Sequence, residues 1–381
     1  MRKQCMVIVG MTLLVGVISL SAAVQGDQSW TIDQFPLPSA YAWPQSLTTD
    51  ADGNLWFTEV GLDRIGRLVP AQAIPGTSNG FSELPLTLGA WPQGIAAAGD
   101  GSLWFAEYLA DALGRIGTGD TITQYLVLDP GAHPLDVADG GDGSVWFVES
   151  DGNALGRFVP PATVERFPLP IADGYPAALA LDHSGNVWFA AAAANQIGVY
   201  RPQEVTMTLY AIPTEASFPT SLVVAGDGSI WFGEEVGNKI GRLNPANGQI
   251  PEYDGPTDGA SPKGLALDST GKLWFVENRA DKLACFDPAM LSFTEYTLSA
   301  GAAPEDVVAV GANVIWFTLG GANSLGRLTL TAQPTPTATA TRTSSPTSSP
   351  TRTGTATGTA TASPTRTGTA TGTATASPTR T

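Results

Sequence analysis

The stretch GSLWFAEYLADALGRIG, Gly101 to Gly117, decides the fold. It holds two short apolar runs, LWFAEY and LGRIG, joined by a polar loop and preceded by the turn dipeptide Asp100-Gly101. Short β-prone runs bounded by such turns read as adjacent antiparallel strands. Outward from there, GIAAAG at 94–99 lies before the turn and ITQYLVL at 122–128 follows the second run, so the unit has four strands. The unit repeats. Its Trp-Phe pair recurs at Trp56, Trp104, Trp146, Trp188, Trp231, Trp274 and Trp316, with spacings of 48, 42, 42, 43, 43 and 42. A fixed period of this size, built from four short strands, predicts an all-β fold: a seven-bladed β-propeller of four-stranded antiparallel blades.

The seventh unit stops after SLGRLTL without a fourth strand, while an unassigned strand, WTIDQFPLP at 30–38, precedes the first unit. That strand resembles the fourth strands VERFPLP and TEYTLSA. It is therefore expected to complete the last blade and close the ring, which removes exposed sheet edges. The propeller is expected over residues 27–332. Ahead of it, Arg2 and Lys3 precede an apolar run from Cys5 to Val24 with small residues near its end. This reads as a secretory signal peptide over 1–26, with a retained membrane anchor as the other reading. No later segment reaches the roughly 18 apolar residues of a span, so no membrane insertion is expected after cleavage. Residues 333–381 are Thr, Pro, Ala, Ser and Gly with scattered Arg, and 353–366 and 367–380 are identical copies of TGTATGTATASPTR. So little apolar surface predicts a disordered low-complexity tail, open to O-glycosylation or surface tethering. The expected product is a monomer that is secreted, either extracellular or held at the cell surface.

The chain carries 19 Lys+Arg and 35 Asp+Glu. Six cations (Arg2, Lys3, Arg342, Arg352, Arg366 and Arg380) and no acids lie outside 27–332, which leaves 13 cations against 35 acids and a body charge of −22. Such a surface repels phosphate backbones and anionic lipid, so nucleic acid is not expected as a partner. Only Cys285 remains after processing, which excludes an internal disulfide.

Most repeated residues read as scaffold. The Trp and Phe of each pair point to opposite faces of the second strand and pack against neighbouring blades. Arg67, Arg115, Arg157, Arg242 and Arg327 are expected across from the Trp in cation–π pairs, with Val199 and Cys285 replacing them in blades four and six. Asp63, Asp111, Asn153, Asn195, Asn238, Asp281 and Asn323 precede the third strands as turn residues. The acids after Trp-Phe, Glu59, Glu107, Glu149, Glu234 and Glu277, read as a solvated ring on one face, with a metal or cationic-ligand site as the alternative.

A different pattern appears where the chain enters each first strand. The tetrapeptide AWPQ occurs at 42–45 and 90–93, and following its proline round the ring gives Trp43, Trp91, His133, Tyr175, Phe218, Ser261 and Ala303 as predecessors. Proline holds its predecessor extended. Uniform packing predicts one residue type at all seven places. The observed unevenness predicts a crescent of Trp43, Trp91, His133, Tyr175 and Phe218, flanked by Gln45 and Gln93 and facing Lys263, Glu305 and Asp306 across the channel mouth. Ligand sites are concave and mostly aromatic or apolar, with few placed polar groups, so a small-molecule or glycan-like ligand with an aromatic or sugar-like ring is expected there.

The repeated pattern, best seen in PQGIAAAGDGSLWFAE…LGRIG and PKGLALDSTGKLWFVE, resembles the virginiamycin B lyase, or streptogramin lyase, family over about residues 30–332. The resemblance implies a carbon–oxygen lyase that linearises cyclic depsipeptides by elimination, with a divalent metal, usually magnesium. A base takes the proton and the metal holds the growing negative charge. It further implies a His base in a Glu-Pro-His context in the last blade, a His after the proline one blade earlier, and an acid after the final Trp-Phe. Those positions read here as Ala303-Pro304-Glu305, Pro262-Lys263 and Leu319, and the only histidines are His133 and His183. Glu305 with Lys263 is the substituted catalytic pair open to the chain.

Three functions follow: a non-catalytic ligand-binding propeller using the channel mouth; a lyase of the family's type with altered catalytic groups; or a structural or protein-recognition module on a flexible stalk. The missing His residues weigh against the second, and the aromatic crescent favours the first over the third.

Overall fold

The computed structural model describes residues 28–126 and 129–332. The expected signal peptide and the Thr/Pro-rich tail lie outside the described residues. Seven four-stranded sheets form, six of them from consecutive strands. The seventh is built from Pro304–Val310, Val314–Leu319 and Ser324–Ala332, with the N-terminal strand Gln28–Pro36 on its outer edge. That strand pairs antiparallel from Gln28 opposite Ala332 to Pro36 opposite Ser324. It starts two residues before the run read from the sequence and ends two before it, because Leu37 already turns to bond the carbonyl of Asn323. Helix among the described residues is limited to four single 3-10 turns, such as Val60–Leu62.

The first strand of each blade packs against the first strands of both neighbours, which closes a ring around a central channel. The core lies between blades. Six of the seven second strands are buried along their length and the seventh at all but Val314, and the Trp stands opposite the third-strand Arg in five blades, as Trp104 does opposite Arg115. Guanidinium carbons lie 5.1 to 5.8 Å from those indole rings. Blades four and six lack the Arg, and there the indole Nε1 donates to Asp182 (3.0 Å) and Asp268 (3.0 Å), as it also does to Asp50 (2.8 Å) in blade one, beside Arg67. The Phe on the opposite face lies over a third-strand glycine: a Cβ on Gly156 would sit 2.0 Å from the Phe147 ring. The free thiol of Cys285 is buried and pushed up to about 12 by burial, so it is a packing group.

The acids after Trp-Phe are not the solvated ring expected from the sequence. Glu59, Glu107, Glu149, Glu234 and Glu277 are each 0 or 1 % exposed. They point beneath the fourth strand, towards the residue paired with the third-strand glycine or alanine. In blade two that residue is Gln124 and in blade three Arg166, and each bonds its Glu. In blades one, five and six it is a second acid, Glu83, Glu252 or Glu295, beside Arg64, Lys239 or Lys282. Burial, reinforced by the second carboxylate, pushes Glu59, Glu234 and Glu277 up to about 8 each. These three are therefore neutral carboxyl groups near neutral pH. The outer acids also hold the chain entering their blade, as Glu83 does by accepting from Ser39 N (3.1 Å) and Oγ (2.6 Å).

Candidate ligand-binding site

The entry to each first strand is built on strained backbone. Instead of extended, the seven residues before the prolines are left-handed, with φ between 41° and 61°. Such a conformation costs about 1–3 kcal/mol at a non-glycine residue and needs outside support. Two bonds supply it. The carbonyl of each accepts from the residue after the second strand, as Trp91 does from Tyr108 (3.2 Å) and Phe218 from Glu235 (3.2 Å). The turn residue of the previous blade takes a nearby N–H: Asp63 from Trp91 (2.7 Å), Asp111 from His133 (2.9 Å), Asn195 from Ser217 (2.8 Å). The Asn and Asp read as local turn formers, themselves left-handed at φ 48° to 57°, thus clamp the next blade's entry.

Immediately after each proline the register slips, which places a β-bulge at the mouth end of all seven first strands. A bulge re-aims side chains beside functional sites. Both residues that follow the proline line one cavity of about 580 Å³ in every blade, from Gln45 and Ser46 round to Glu305 and Asp306. Gln93, Lys263, Trp91, Tyr175 and Phe218 also line it. Eight of the ten residues singled out in the sequence therefore meet in one place, while Trp43 and His133 do not. Trp43 stands on the rim, 61 % exposed. His133 stacks behind the wall on Tyr108, with ring centroids 4.5 Å apart and planes 14° apart, and its Nδ1 lies 2.6 Å from Asp151. Tyr108 takes its place in the wall.

Trp91, Tyr108, Tyr175 and Phe218 form an apolar arc, with Tyr175 and Phe218 stacked at 6.3 Å. The opposite arc is charged. Lys263 Nζ lies 3.0 Å from Glu305 Oε2 and 3.8 Å from Glu235 Oε1, and Asn278 Nδ2 donates to Glu305 Oε1 (2.9 Å). Deeper in the channel, Asp136 and Asp306 accept the N–H of the next blade's first strand, from Leu179 (3.0 Å) and Leu47 (2.9 Å). Gly94 and Gly264 give them room, since a Cβ on either would sit under 3.0 Å from the aspartate Cα. Both carboxyls reach the cavity but are shielded from bulk water. Burial pushes Asp136 up to about 6 and Asp306 up to about 7 against their backbone bonds. Sequence reasoning missed Tyr108, Glu235, Asn278 and Asp136. The signal was present: the residue after the acid position varies as Val60, Tyr108, Ser150, Ala192, Glu235, Asn278 and Gly320, as unevenly as the residue before the proline.

A family model described as the virginiamycin B lyase family matches residues 24–206 and 202–360. The chain belongs to the virginiamycin B lyase family. Selenomethionine-substituted virginiamycin B lyase from Staphylococcus aureus is 28% identical, with a TM-score of 0.73, 79% of this chain covered and 99% of the other. A streptogramin B lyase structure is 27% identical, with a TM-score of 0.74 and coverage of 79% and 98%. A catalytically inactive histidine-to-alanine variant of the Staphylococcus aureus lyase, determined with quinupristin, is 28% identical, with a TM-score of 0.73 and coverage of 79% and 99%. No curated protein sequence matches.

The family's divalent metal does not fit this chain's donors. Between the two mouth carboxylates, Glu235 and Glu305, stands the Lys263 ammonium. The position after the last Trp-Phe is Leu319, buried and apolar. Among the described residues no three His, Cys, Asp or Glu side chains are grouped to hold an ion. Glu305 itself accepts from both Lys263 and Asn278, which leaves it poorly placed to take a substrate proton.

Proposed function

We propose that this member of the virginiamycin B lyase family is a secreted, non-catalytic ligand-binding protein that takes a small molecule or glycan-like ligand with a ring face into the channel mouth. One observation carries the reading: a cavity of about 580 Å³ walled on one arc by Trp91, Tyr108, Tyr175 and Phe218 and on the other by Glu235, Lys263 and Glu305. Apolar rings supply contact area and a few placed polar groups fix orientation. The positions where the family resemblance implies the reactive groups carry Glu305, Lys263 and Leu319. A relative that loses a histidine is catalytically inactive, which fits a binding role for a chain whose histidines, His133 and His183, both lie outside this wall.

The test titrates the protein with 4-nitrophenyl β-glucoside and with a type B streptogramin, following tryptophan fluorescence. Saturable quenching is expected, weakened about tenfold or more by Trp91→Ala or Phe218→Ala. If both variants bind as the parent does, the cavity is structural. Incubation of the streptogramin with the protein and magnesium, read by mass analysis, is expected to leave the ring closed. A linear elimination product would replace the binder by a lyase in which Glu305 serves as base.

A further inference from the structure

Four acids, Asp136, Glu235, Glu305 and Asp306, line the cavity against a single cation, Lys263. Lys263 is committed to Glu305 at 3.0 Å and stands further, at 3.8 Å, from Glu235. Glu235 is left with one weak acceptor contact, from Ser261 Oγ at 3.4 Å to Oε1. Its Oε2 makes no hydrogen bond among the described residues. This underused carboxylate sits at the junction of the two arcs. Its backbone N–H bonds the carbonyl of Phe218, and Phe218 stacks on Tyr175. A carboxylate that lines the same cavity as aromatic rings attracts a cation by Coulomb energy, and a cation that meets a ring face gains the quadrupole attraction as well.

We infer that the pocket selects ligands that join a ring to a protonated amine, with the ammonium seated between Glu235 and the faces of Phe218 and Tyr175. The inference rests on the binding reading above and narrows its ligand class. A carboxylate ligand would meet uncompensated like charge. A neutral ring would leave Glu235 with only its weak contacts to Ser261 and Lys263. The body charge of −22 works in the same direction at long range, since it raises the local concentration of cations.

Three probes that share a ring and chain but differ in end group separate the outcomes: 2-phenylethylamine, 2-phenylethanol and 3-phenylpropionate, titrated against the full chain at low salt by calorimetry and tryptophan fluorescence. The amine is expected to bind about tenfold or more tighter than the alcohol, and the acid more weakly than either. Glu235→Gln is expected to abolish the preference for the amine over the alcohol, and added salt to weaken the amine alone. Equal affinity for amine and alcohol, or an E235Q variant that keeps the preference, overturns the inference and leaves the pocket standing. If none of the three binds, or if Phe218→Ala changes none of them, the inference and the binding reading fall together.

Discussion

Single residues show how one repeat solves one problem in several ways. In blades one, four and six the indole N–H of the buried Trp donates to an aspartate. Asp268 is that acceptor in blade six, where no Arg is present, and the bond is buried. Blade two instead places Asp100 on Arg115 at 2.7 Å, with both side chains partly exposed. A buried donor without its partner costs about 1–3 kcal/mol, whereas an exposed ion pair is worth about 0–1 kcal/mol. Asp268→Ala is therefore expected to destabilise by about 2 kcal/mol and Asp100→Ala by less, since its ion pair is exposed although its bonds to Ser102 are also lost, measured by urea unfolding. Equal losses would refute the difference. The buried acids give a pH prediction. Folded Glu59, Glu234 and Glu277 sit near 8, above the ordinary carboxyl value of 4.5. Their stabilisation is complete below that unfolded value and is lost as pH rises towards 8, because the unfolded chain ionises first. Glu277→Gln, which keeps a neutral side chain of the same shape, is expected to raise Tm at pH 8 relative to the parent and to change little at pH 5. None of this burial was legible in the sequence, where an acid at a strand end looks like a surface group. The residue opposite is Glu, Gln or Arg wherever the acid is present and Leu209 where it becomes Ala191, but Gln34 faces Gly326 in blade seven, where the acid position is Leu319, so that pairing alone does not announce the buried acid.

At the scale of elements, the strand count was legible, since the Trp-Phe period marks every blade and Asp-Gly turns mark four of them, at Asp52, Asp100, Asp142 and Asp227. The closing strand was legible too, because Phe35 repeats the role of Phe167 in another fourth strand. The bulges were not. They depend on how backbone meets backbone at the mouth, and proline alone suggests an extended entry. Proline thus points to the residue before it, whereas both residues after it line the channel in every blade. Trp43 and His133 were misplaced for that reason: the same left-handed bend leaves one ring on the rim and turns the other onto Tyr108. Closure carries its own prediction. Phe35 is fully buried, 5.1 Å from the Trp316 ring, and Arg327 lies over it at 5.1 Å. Phe35→Ala is expected to cost about 3–5 kcal/mol. Deleting residues 28–36 removes the whole outer strand of blade seven and bares the Ser324–Ala332 edge, so concentration-dependent association is expected in light scattering. A truncated chain that stays monomeric with the parent's Tm would show that the ring does not need its closing strand.

For the whole molecule, charge and buried protons act together. The body carries −22, and self-repulsion at that charge destabilises the compact state. Lowering pH reduces the charge and also keeps Glu59, Glu234, Glu277 and Asp306 protonated in the fold. The turn aspartates oppose this only further down. Asp100, Asp142 and Asp227 are held below the usual carboxylate value by bonds to Ser102, Ser144 and Ser229. Their stabilisation is present above the unfolded value of 3.8 and is lost as pH falls through the folded values below it. The two families of acids leave a window in which neither is strained, and the stability maximum is expected there, at mildly acidic pH of about 5. Salt separates the two causes. Raising ionic strength from about 0.01 M to about 1 M shortens the screening length from about 30 Å to about 3 Å, which weakens surface repulsion and leaves buried groups almost untouched. Scanning calorimetry at pH 8 is expected to show Tm rising with salt without reaching its low-salt value at pH 5. The shortfall measures the buried carboxyls, and Glu59→Gln combined with Glu234→Gln and Glu277→Gln is expected to close most of it. A Tm that is flat between pH 5 and 8 in the parent would mean that these side chains open to water and ionise without cost, against their burial in the fold.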